Sequence, residues 1–304
     1  MKIRIGFGLG VQTTMNGRAS LGPVVDALED RGFDSIWFSE RLGGLAPDPI
    51  AAMAFTVART EHLKVGMSVL VLPGRNPAVL AKELATIDQL AGGRNRVLPA
   101  FGLGVADVHE QSAFGVERTE RAAMFDEALP LLRRLWSEDE VSHEGEHYRL
   151  DAVTIRPKPI NNHFDVWLGG QAPSELRRIG RLGDGWLPSF CRPVDVAEAL
   201  PAINEAAAAH HRTIDPEHIG ALIAYRPAGP VPELLARIVA KRRPGADPDD
   251  VIPAGLPALA AQIERFVAVG ASKFVVLPIV EPGDTDAVLR ELDAIASTLL
   301  PLQT

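Results

Sequence analysis

Residues 165–176 read DVWLGGQAPSEL, a short apolar strand pattern that runs into two glycines and a proline. Gly169 and Gly170 allow a tight turn and a close approach of the backbone to a ligand. Pro173 stands where the first residue of a helix is expected and where its missing N–H costs nothing. The N–H groups at such a helix start are free to bind a phosphate, although Glu175 in the first turn can itself complement the helix dipole. The stretch predicts a strand, a turn and a helix, with a candidate phosphate site between them.

The same strand–helix unit recurs along nearly the whole chain. Strand patterns fall at Ile3–Leu9, Phe33–Ser39, Leu63–Leu72, Arg96–Gly102, Asp165–Leu168, Gly185–Leu187, Ile219–Tyr225 and Lys273–Pro278. Helical patterns fall at Leu21–Arg31, Pro49–Arg59, Pro77–Ala91, Thr119–Trp136, Pro173–Leu182, Val194–His211, Leu256–Val269 and Thr285–Leu299. Eight such units with right-handed crossovers close into a barrel of parallel strands. The predicted fold is therefore α/β, a (β/α)8 TIM barrel that forms one domain over residues 1–304.

Three excursions from this minimal barrel are predicted, at about residues 105–118, 137–159 and 226–257. The first is a polar loop, and the second is a hairpin or extended segment. The third is a proline-rich stretch around one helical piece, Glu233–Arg243. Insertions of this size are expected at the C-terminal face of the strands, where barrel enzymes hold their sites.

A Rossmann domain is the rival fold, suggested by Gly6, Gly8 and Gly10 on the first strand and by Glu40 after the second. Its fingerprint needs a third glycine at the start of a helix. Here a polar segment, residues 12–20, intervenes before the helix, so the spacing favours the barrel.

Composition and charge narrow the functional class. The 304 residues are 46% hydrophobic, enough for a sizeable core, and their formal net charge of −8 argues against nucleic acid as a partner. The single cysteine, Cys191, excludes a disulfide framework within the chain, and no histidine pair has zinc-ligand spacing, so no metal site is predicted. No signal peptide or membrane-spanning run is recognisable, so we expect a cytoplasmic protein without a membrane partner.

The ends of the predicted strands carry the candidate cofactor site. In a barrel these ends lie side by side at one face, so the glycine segments after the fourth and fifth strands can clamp one phosphate together. The candidate residues in these segments are Gly102, Leu103, Gly104, Gly169, Gly170, Gln171 and Ala172.

Several segments, taken in their order and spacing, resemble the luciferase-like flavin and deazaflavin oxidoreductases, and within them the coenzyme F420-dependent branch. The resemblance implies a barrel whose strand ends hold a flavin-like tricycle, which is coenzyme F420 or alternatively FMN. It also implies a phosphate site after the fourth and fifth strands, and a homodimer. The matching segments are residues 32–40, 69–77, 80–94, 121–129, 145–148, 157–159 and 167–186.

The resemblance also assigns residues near the ring. Related enzymes carry a non-proline cis peptide in the third strand, and the matching bond here joins Ser68 and Val69, which are added to the cofactor-binding residues. Many relatives have an acid followed by histidine at the second strand end, whereas this chain has Glu40 followed by Arg41. Arginine is a poor general acid, but it can hold a carbonyl, a carboxylate or a developing oxyanion.

The candidate catalytic residues are Arg41, His109 and Glu40. Arg41 would orient a substrate oxygen, and His109 or Glu40 would handle a proton, because histidine titrates in the useful range. A lone loop histidine is nevertheless more often a solvent-exposed bystander, and Cys191 is also expected to be a bystander. Relatives that oxidise a sugar phosphate carry a glutamate just after the fourth-strand glycines, where this chain has Val105, so that substrate is not expected.

Three functions stay open on the sequence. The favoured one is hydride transfer between coenzyme F420 and a small organic substrate. The second is an FMN-dependent monooxygenase that uses O2 and a partner reductase. The third is a non-catalytic barrel that binds a ligand, which the departure at Arg41 keeps open.

Overall fold

The computed structural model describes residues 1–105, 107–279 and 284–304. Its strands are β1 (Arg4–Leu9), β2 (Ser35–Phe38), β3 (Lys64–Met67), β4 (Leu70–Val71), β5 (Val97–Leu98), β6 (Ala100–Gly102), β7 (Val141–Glu144), β8 (Arg149–Val153), β9 (Trp167–Leu168), β10 (Gly185–Trp186), β11 (Gly220–Tyr225) and β12 (Lys273–Pro278). Its α-helices are α1 (Arg18–Arg31), α2 (Pro49–Val57), α3 (Pro77–Leu90), α4 (Val108–Ala113), α5 (Arg121–Ser137), α6 (Pro173–Leu182), α7 (Pro193–Ala208), α8 (Glu233–Arg242), α9 (Pro248–Val251), α10 (Gly255–Ala268) and α11 (Thr285–Leu299). The predicted barrel elements are all present, with ends that differ by at most three residues.

The strands pair as a parallel barrel. One sheet has the order β11-β12-β1-β2-β3-β5, and the other has the order β10-β9-β6-β4. The third barrel strand comprises β3 and β4, and the fourth comprises β5 and β6, so these two strands join the sheets. At the other seam, the parallel bridges Trp186–Ile219 and Ser189–Leu222 link the sixth and seventh strands. All the pairings between barrel strands are parallel, and the predicted (β/α)8 TIM barrel is confirmed.

Two barrel strands are interrupted where the sequence predicts continuous ones. Ser68 and Val69 separate β3 from β4, and the peptide bond between them is cis, as the resemblance predicts. Pro99 separates β5 from β6, because proline has no N–H to donate to the ladder. At each interruption the chain passes from one sheet to the other.

The excursion after the fourth strand is not the loop that the sequence predicts, because it contains α4. Asp107 is the N-cap of this helix, and its Oδ1 accepts the backbone N–H groups of His109 and Glu110. The cap satisfies donors that would otherwise lack partners at the helix start. A side-chain cap thus orders a polar sequence that has no apolar periodicity.

The other two excursions also carry regular elements. Residues 137–159 contain the antiparallel hairpin β7–β8, in agreement with the prediction. Residues 226–257 contain two helices, α8 and α9, rather than the one helical piece predicted. Val239, Val251 and Ile252 form a small buried cluster of their own there, so this excursion packs as a unit on the barrel.

A buried ionic cluster closes the N-terminal end of the barrel. The Asp34 carboxylate accepts hydrogen bonds from Lys64 Nζ at 2.7 Å and from Lys273 Nζ at 2.8 Å. Burial alone would raise the pKa of Asp34, but the two ammonium groups outweigh it and hold the pKa well below its usual range. The cluster lies at the opposite end from the predicted site, since Lys64 and Lys273 begin β3 and β12.

The main core fills the barrel and the space between the strands and the helices. It includes the four tryptophans, which are fully buried: Trp37, Trp136, Trp167 and Trp186. Among the helices in the described ranges, none is long and apolar enough to cross a membrane.

Candidate active site

Val69 lies where the ends of the third, fourth and fifth barrel strands meet. A Cβ placed on Gly102 would lie 2.5 Å from Cγ2 of Val69, and one placed on Gly169 would lie 3.3 Å from its Cγ1. A side chain at residue 102 would therefore displace Val69. The Ser68 Oγ lies 3.2 Å from the Oγ of Ser39, which follows β2. The structure thus brings Ser68, Val69, Gly102 and Gly169 together at the face where the strands end, as the strand assignments predict.

Arg121, at the start of α5, holds the segment after the fourth strand. Its Nη1 donates to the carbonyl oxygens of Leu103 at 3.1 Å, Gly104 at 3.0 Å and Val105 at 3.1 Å. Gly104 has a φ of +78°, a conformation that favours glycine, and a Cβ there would lie 3.1 Å from Cγ1 of Val71. Hydrogen bonds from Arg121 to their carbonyl oxygens therefore hold the predicted residues Leu103 and Gly104 in position.

Glu175 occupies the turn after the fifth strand. Its Oε2 accepts the backbone N–H of Gln171 at 2.7 Å and that of Ala172 at 2.8 Å. The sequence predicts free N–H groups here, but these two are not free, because the first-turn carboxylate reaches back to them. Gly170 has a φ of +101°, and its carbonyl oxygen accepts a hydrogen bond from Trp186 Nε1 at 2.9 Å. Phosphate binding by Gln171 and Ala172 stays a prediction, and it requires the Glu175 side chain to move.

A second arginine missed in the sequence, Arg242, also lies near this turn. Arg242 donates from Nη1 to Ser189 Oγ at 3.3 Å, and Gln171 Nε2 donates to the carbonyl oxygen of Ser189 at 2.5 Å. Burial lowers the pKa of both Arg242 and Arg121, and the Glu175 carboxylate opposes this shift in each case. Two guanidinium groups thus lie close enough to interact with Glu175 in this turn. The sequence signals Arg242 only as one of the basic residues at the end of α8. Its position near the turn depends on how the excursion packs on the barrel.

A cleft of about 570 Å³ opens beside the ends of the first two strands. Arg41 and His109, both predicted as catalytic, line this cleft together with Gln12 of the first strand end. The other lining residues are Val11, Leu42, Gly43, Asp107, Glu110 and Ala113. The structure therefore brings Arg41 and His109 to one cavity, although they are distant in the sequence.

Arg41 is bound by two carboxylates that the sequence analysis did not assign to it. Its Nε donates to Glu110 Oε1 at 2.8 Å, and its Nη2 donates to Asp107 Oδ2 at 3.1 Å. The backbone N–H groups of Glu110 and His109, and then the charge of Arg41, lower the pKa of Asp107. Arg41 thus links the loop after β2 to the N-cap and the first turn of α4 through two carboxylates, one more than its own charge neutralises.

Glu40 faces a different partner. Its Oε2 accepts the backbone N–H of Val71 at 2.7 Å, and its Oε1 accepts a hydrogen bond from Arg75. Burial raises the pKa of Glu40, while Arg75 and the Val71 N–H act in the opposite direction. Glu40 is not among the residues that line the 570 Å³ cleft in the described part of the chain. The structure therefore connects Glu40 to the third strand, and its predicted role in proton transfer stays a prediction.

Cys191 is not among the described residues that line the 570 Å³ cleft. Cys191 is fully buried, and burial raises the pKa of its thiol to about 12, which fits the expected bystander. Within residues 1–105, 107–279 and 284–304, no group of three or more metal-ligating side chains could hold a metal ion.

Comparison with known proteins identifies the family and supports the fold. The family model described as luciferase-like monooxygenase matches residues 4–226. An F420-dependent secondary alcohol dehydrogenase, solved in complex with an F420-acetone adduct, superposes over 100% of both chains with a TM-score of 0.79 and 21% identity. At that identity the likeness shows the fold alone.

Two curated relatives are more similar in sequence. An F420-dependent glucose-6-phosphate dehydrogenase of Kineococcus radiotolerans is 33% identical over 197 residues, which cover 61% of this chain and 57% of the relative. A phthiodiolone/phenolphthiodiolone dimycocerosates ketoreductase of Mycobacterium kansasii is 30% identical over 241 residues, which cover 69% of this chain and 65% of the relative. The chain thus spans less than two thirds of the length of these relatives.

Proposed function

Since this chain belongs to the luciferase-like monooxygenase family, we propose that it is an oxidoreductase that transfers a hydride between coenzyme F420 and a small organic substrate. The observation that carries the proposal is the pair of guanidinium groups, Arg121 and Arg242, that both lie near Glu175 of the Gly170 turn. F420 carries a phosphate and a further negatively charged tail, and guanidinium groups bind such anions well. The names of the two relatives, an F420-dependent dehydrogenase and a ketoreductase, support a redox reaction of this class.

The strand ends provide a surface that fits a planar ring. Ser68, Val69, Gly102 and Gly169 are half-buried, so this surface is reachable although its strands belong to the core. Val69 would support the ring, while Leu103, Gly104, Gly170, Gln171 and Ala172 would surround the phosphate. When bound, F420 accepts or donates the hydride, and the protein supplies position and electrostatics.

The cleft beside this surface would hold the substrate. Arg41 uses Nε and Nη2 for Glu110 and Asp107, and donors remain on its guanidinium to orient a substrate oxygen. His109 is exposed in the same cleft and would carry a proton between that oxygen and solvent. Glu40, with its raised pKa, is the second candidate for the proton.

Fluorescence titration of the purified protein with oxidised F420 and with FMN, side by side, tests the cofactor. We expect F420 to bind at least tenfold more tightly than FMN. Arg242→Gln should weaken F420 binding by about fivefold or more, because it removes one cation beside the turn. Arg237→Gln is the matched control, since Arg237 lies on the same helix and pairs at the surface with Glu233. Preferential binding of FMN would replace the proposal with the monooxygenase, and binding of neither would favour a non-catalytic barrel.

We also propose that the chain works as a homodimer with one barrel domain in each protomer. This assembly follows from the family resemblance. Light scattering of the purified chain across a concentration series measures its mass, and a monomer at every concentration would contradict it.

A further inference from the structure

The cleft beside the cofactor surface carries an excess of negative charge. Arg41 is the one cation among its described lining residues, and it is bound by the carboxylates of Asp107 and Glu110. One guanidinium and two carboxylates give this cluster a formal charge of −1, with His109 counted as neutral. An anionic substrate would meet repulsion from these carboxylates within the cleft.

The rim of the same cleft is apolar. Leu42 lines the cleft with 54% of its surface exposed, and Val108, between two lining residues of α4, is 72% exposed. Leu45 is 53% exposed on the loop that follows Leu42, and its N–H donates to the carbonyl oxygen of Val11 in the cleft wall. These three residues are among the ten large apolar side chains exposed in the described part of the chain. Such a concentration around a cavity marks a surface that binds apolar ligand.

From these two observations we propose that the substrate is an uncharged molecule with an oxygen that accepts hydrogen bonds and an apolar chain, a class that aliphatic ketones represent, and that sugar phosphates are excluded. The inference rests on the proposed function, because it concerns the substrate side of that same site. The oxygen of the substrate binds the free donors of Arg41, and its chain lies along Leu42, Leu45 and Val108. The acids on α4 hold Arg41 in place and repel phosphate esters from the cleft.

Binding measured by isothermal titration calorimetry on the protein without cofactor tests the proposal. The probes are acetone, 2-pentanone, 2-octanone and glucose 6-phosphate. We expect affinity to rise about two- to fourfold for each added methylene that the rim covers, in line with the burial of apolar surface. Glucose 6-phosphate should bind at least tenfold more weakly than 2-octanone. An affinity that does not depend on chain length, including no binding at all, would overturn the proposal, as would preferred binding of glucose 6-phosphate.

Two sets of variants separate the contribution of the apolar rim to ligand binding from that of the negative charge. Leu42→Ser should flatten the dependence on chain length, whereas Leu90→Ser should not, because Leu90 is 60% exposed at the far end of α3. Asp107→Asn combined with Glu110→Gln removes both negative charges. The one amide oxygen of residue 107 can still cap α4, and that of residue 110 can still accept the bond from Arg41 Nε, while the bond from Arg41 Nη2 to residue 107 is lost. This pair should shift the ratio of affinities at least tenfold towards glucose 6-phosphate. An unchanged ratio would show that the acids do not select against anions.

The F420 titration keeps this inference distinct from the proposed function. If F420 binds and glucose 6-phosphate is the preferred ligand, the substrate class is wrong and the cofactor assignment stands. If F420 does not bind while the ketone series behaves as expected, the cofactor assignment fails and the cleft keeps its assigned ligand class.

Discussion

Replacing Gly170 with alanine tests the turn after the fifth strand most directly. Its φ of +101° is unfavourable for any residue with a Cβ, which costs about 1–2 kcal/mol. The new Cβ would also lie 2.6 Å from Cδ of Glu175 and would displace its carboxylate from the N–H groups of Gln171 and Ala172. Losing this cap-like contact costs a further ~1–2 kcal/mol. We therefore expect Gly170→Ala to lower the free energy of unfolding by about 2–4 kcal/mol.

Gly270 provides the matched control. It has a φ of +98°, and a Cβ there meets no atom within 4 Å. Gly270→Ala should therefore lose only the backbone part, about 1–2 kcal/mol. Urea unfolding followed by tryptophan fluorescence measures both variants, and equal losses would show that the Glu175 contact contributes nothing.

The same two variants test the phosphate assignment. The Cβ at residue 170 would fill the space beside the two N–H groups that the Glu175 carboxylate now occupies and that a phosphate needs. F420 affinity should fall at least tenfold, or about 1.4 kcal/mol, in Gly170→Ala and stay unchanged in Gly270→Ala. Parent-like affinity in Gly170→Ala would place the phosphate elsewhere.

Three further outcomes follow from other parts of the molecule. Arg41→Lys keeps the charge but loses the planar fork, so calorimetry should show at least threefold weaker binding of 2-octanone with F420 affinity unchanged; parent-like binding of 2-octanone would show that Arg41 does not hold the substrate. Asp34→Asn leaves buried Lys273 without its carboxylate partner and should cost about 3–5 kcal/mol at neutral pH in urea unfolding. Because the folded-state pKa of Asp34 is lowered, its contribution is complete above the unfolded value near 3.8 and is lost as pH falls further. The unfolding free energy of the variant should thus change less than that of the parent between about pH 6 and pH 3, and equal pH dependence would contradict the assignment. Cys191 should react with a thiol reagent no faster than the protein unfolds, because its thiol is buried and its pKa is raised to about 12; rapid labelling of the folded protein would refute this.

The barrel could be predicted from the sequence because its signals are local and repeated. Apolar runs of strand length alternate with amphipathic helical patterns, and each unit constrains the next through the handedness of the crossover. Convergence of Val69, Gly102 and Gly169 follows from that topology alone, since neighbouring strands end beside one another. The cis bond at Ser68–Val69 was predicted from the resemblance, because neither residue has a local preference for it.

The contacts around the site could not be predicted in the same way. From its position in the first turn of α6, Glu175 could either complement the helix dipole or leave the N–H groups of the turn free for a phosphate. Only the structure shows that its carboxylate accepts the N–H groups of Gln171 and Ala172. Arg242 belongs to the excursion at residues 226–257, which packs around the cluster of Val239, Val251 and Ile252. Because no sequence pattern specifies how this excursion lies on the barrel, the proximity of Arg242 to the Gly170 turn could not be predicted. Arg121 differs, because it lies in a matched segment, yet its bonds to three successive carbonyl oxygens depend on how the loop closes.

The helix α4 shows why specificity is the hardest property to read from such a chain. Six residues are too few to show an apolar period, and the helix is ordered by a capping aspartate and by Arg41 rather than by burial. The same two acids that anchor α4 set the charge of the cleft. Barrel enzymes vary their substrates through such excursions while the strands stay constant. The residues that select the substrate are therefore held by polar contacts between distant segments, and hydrophobic periodicity, which identifies the barrel, gives no signal for them.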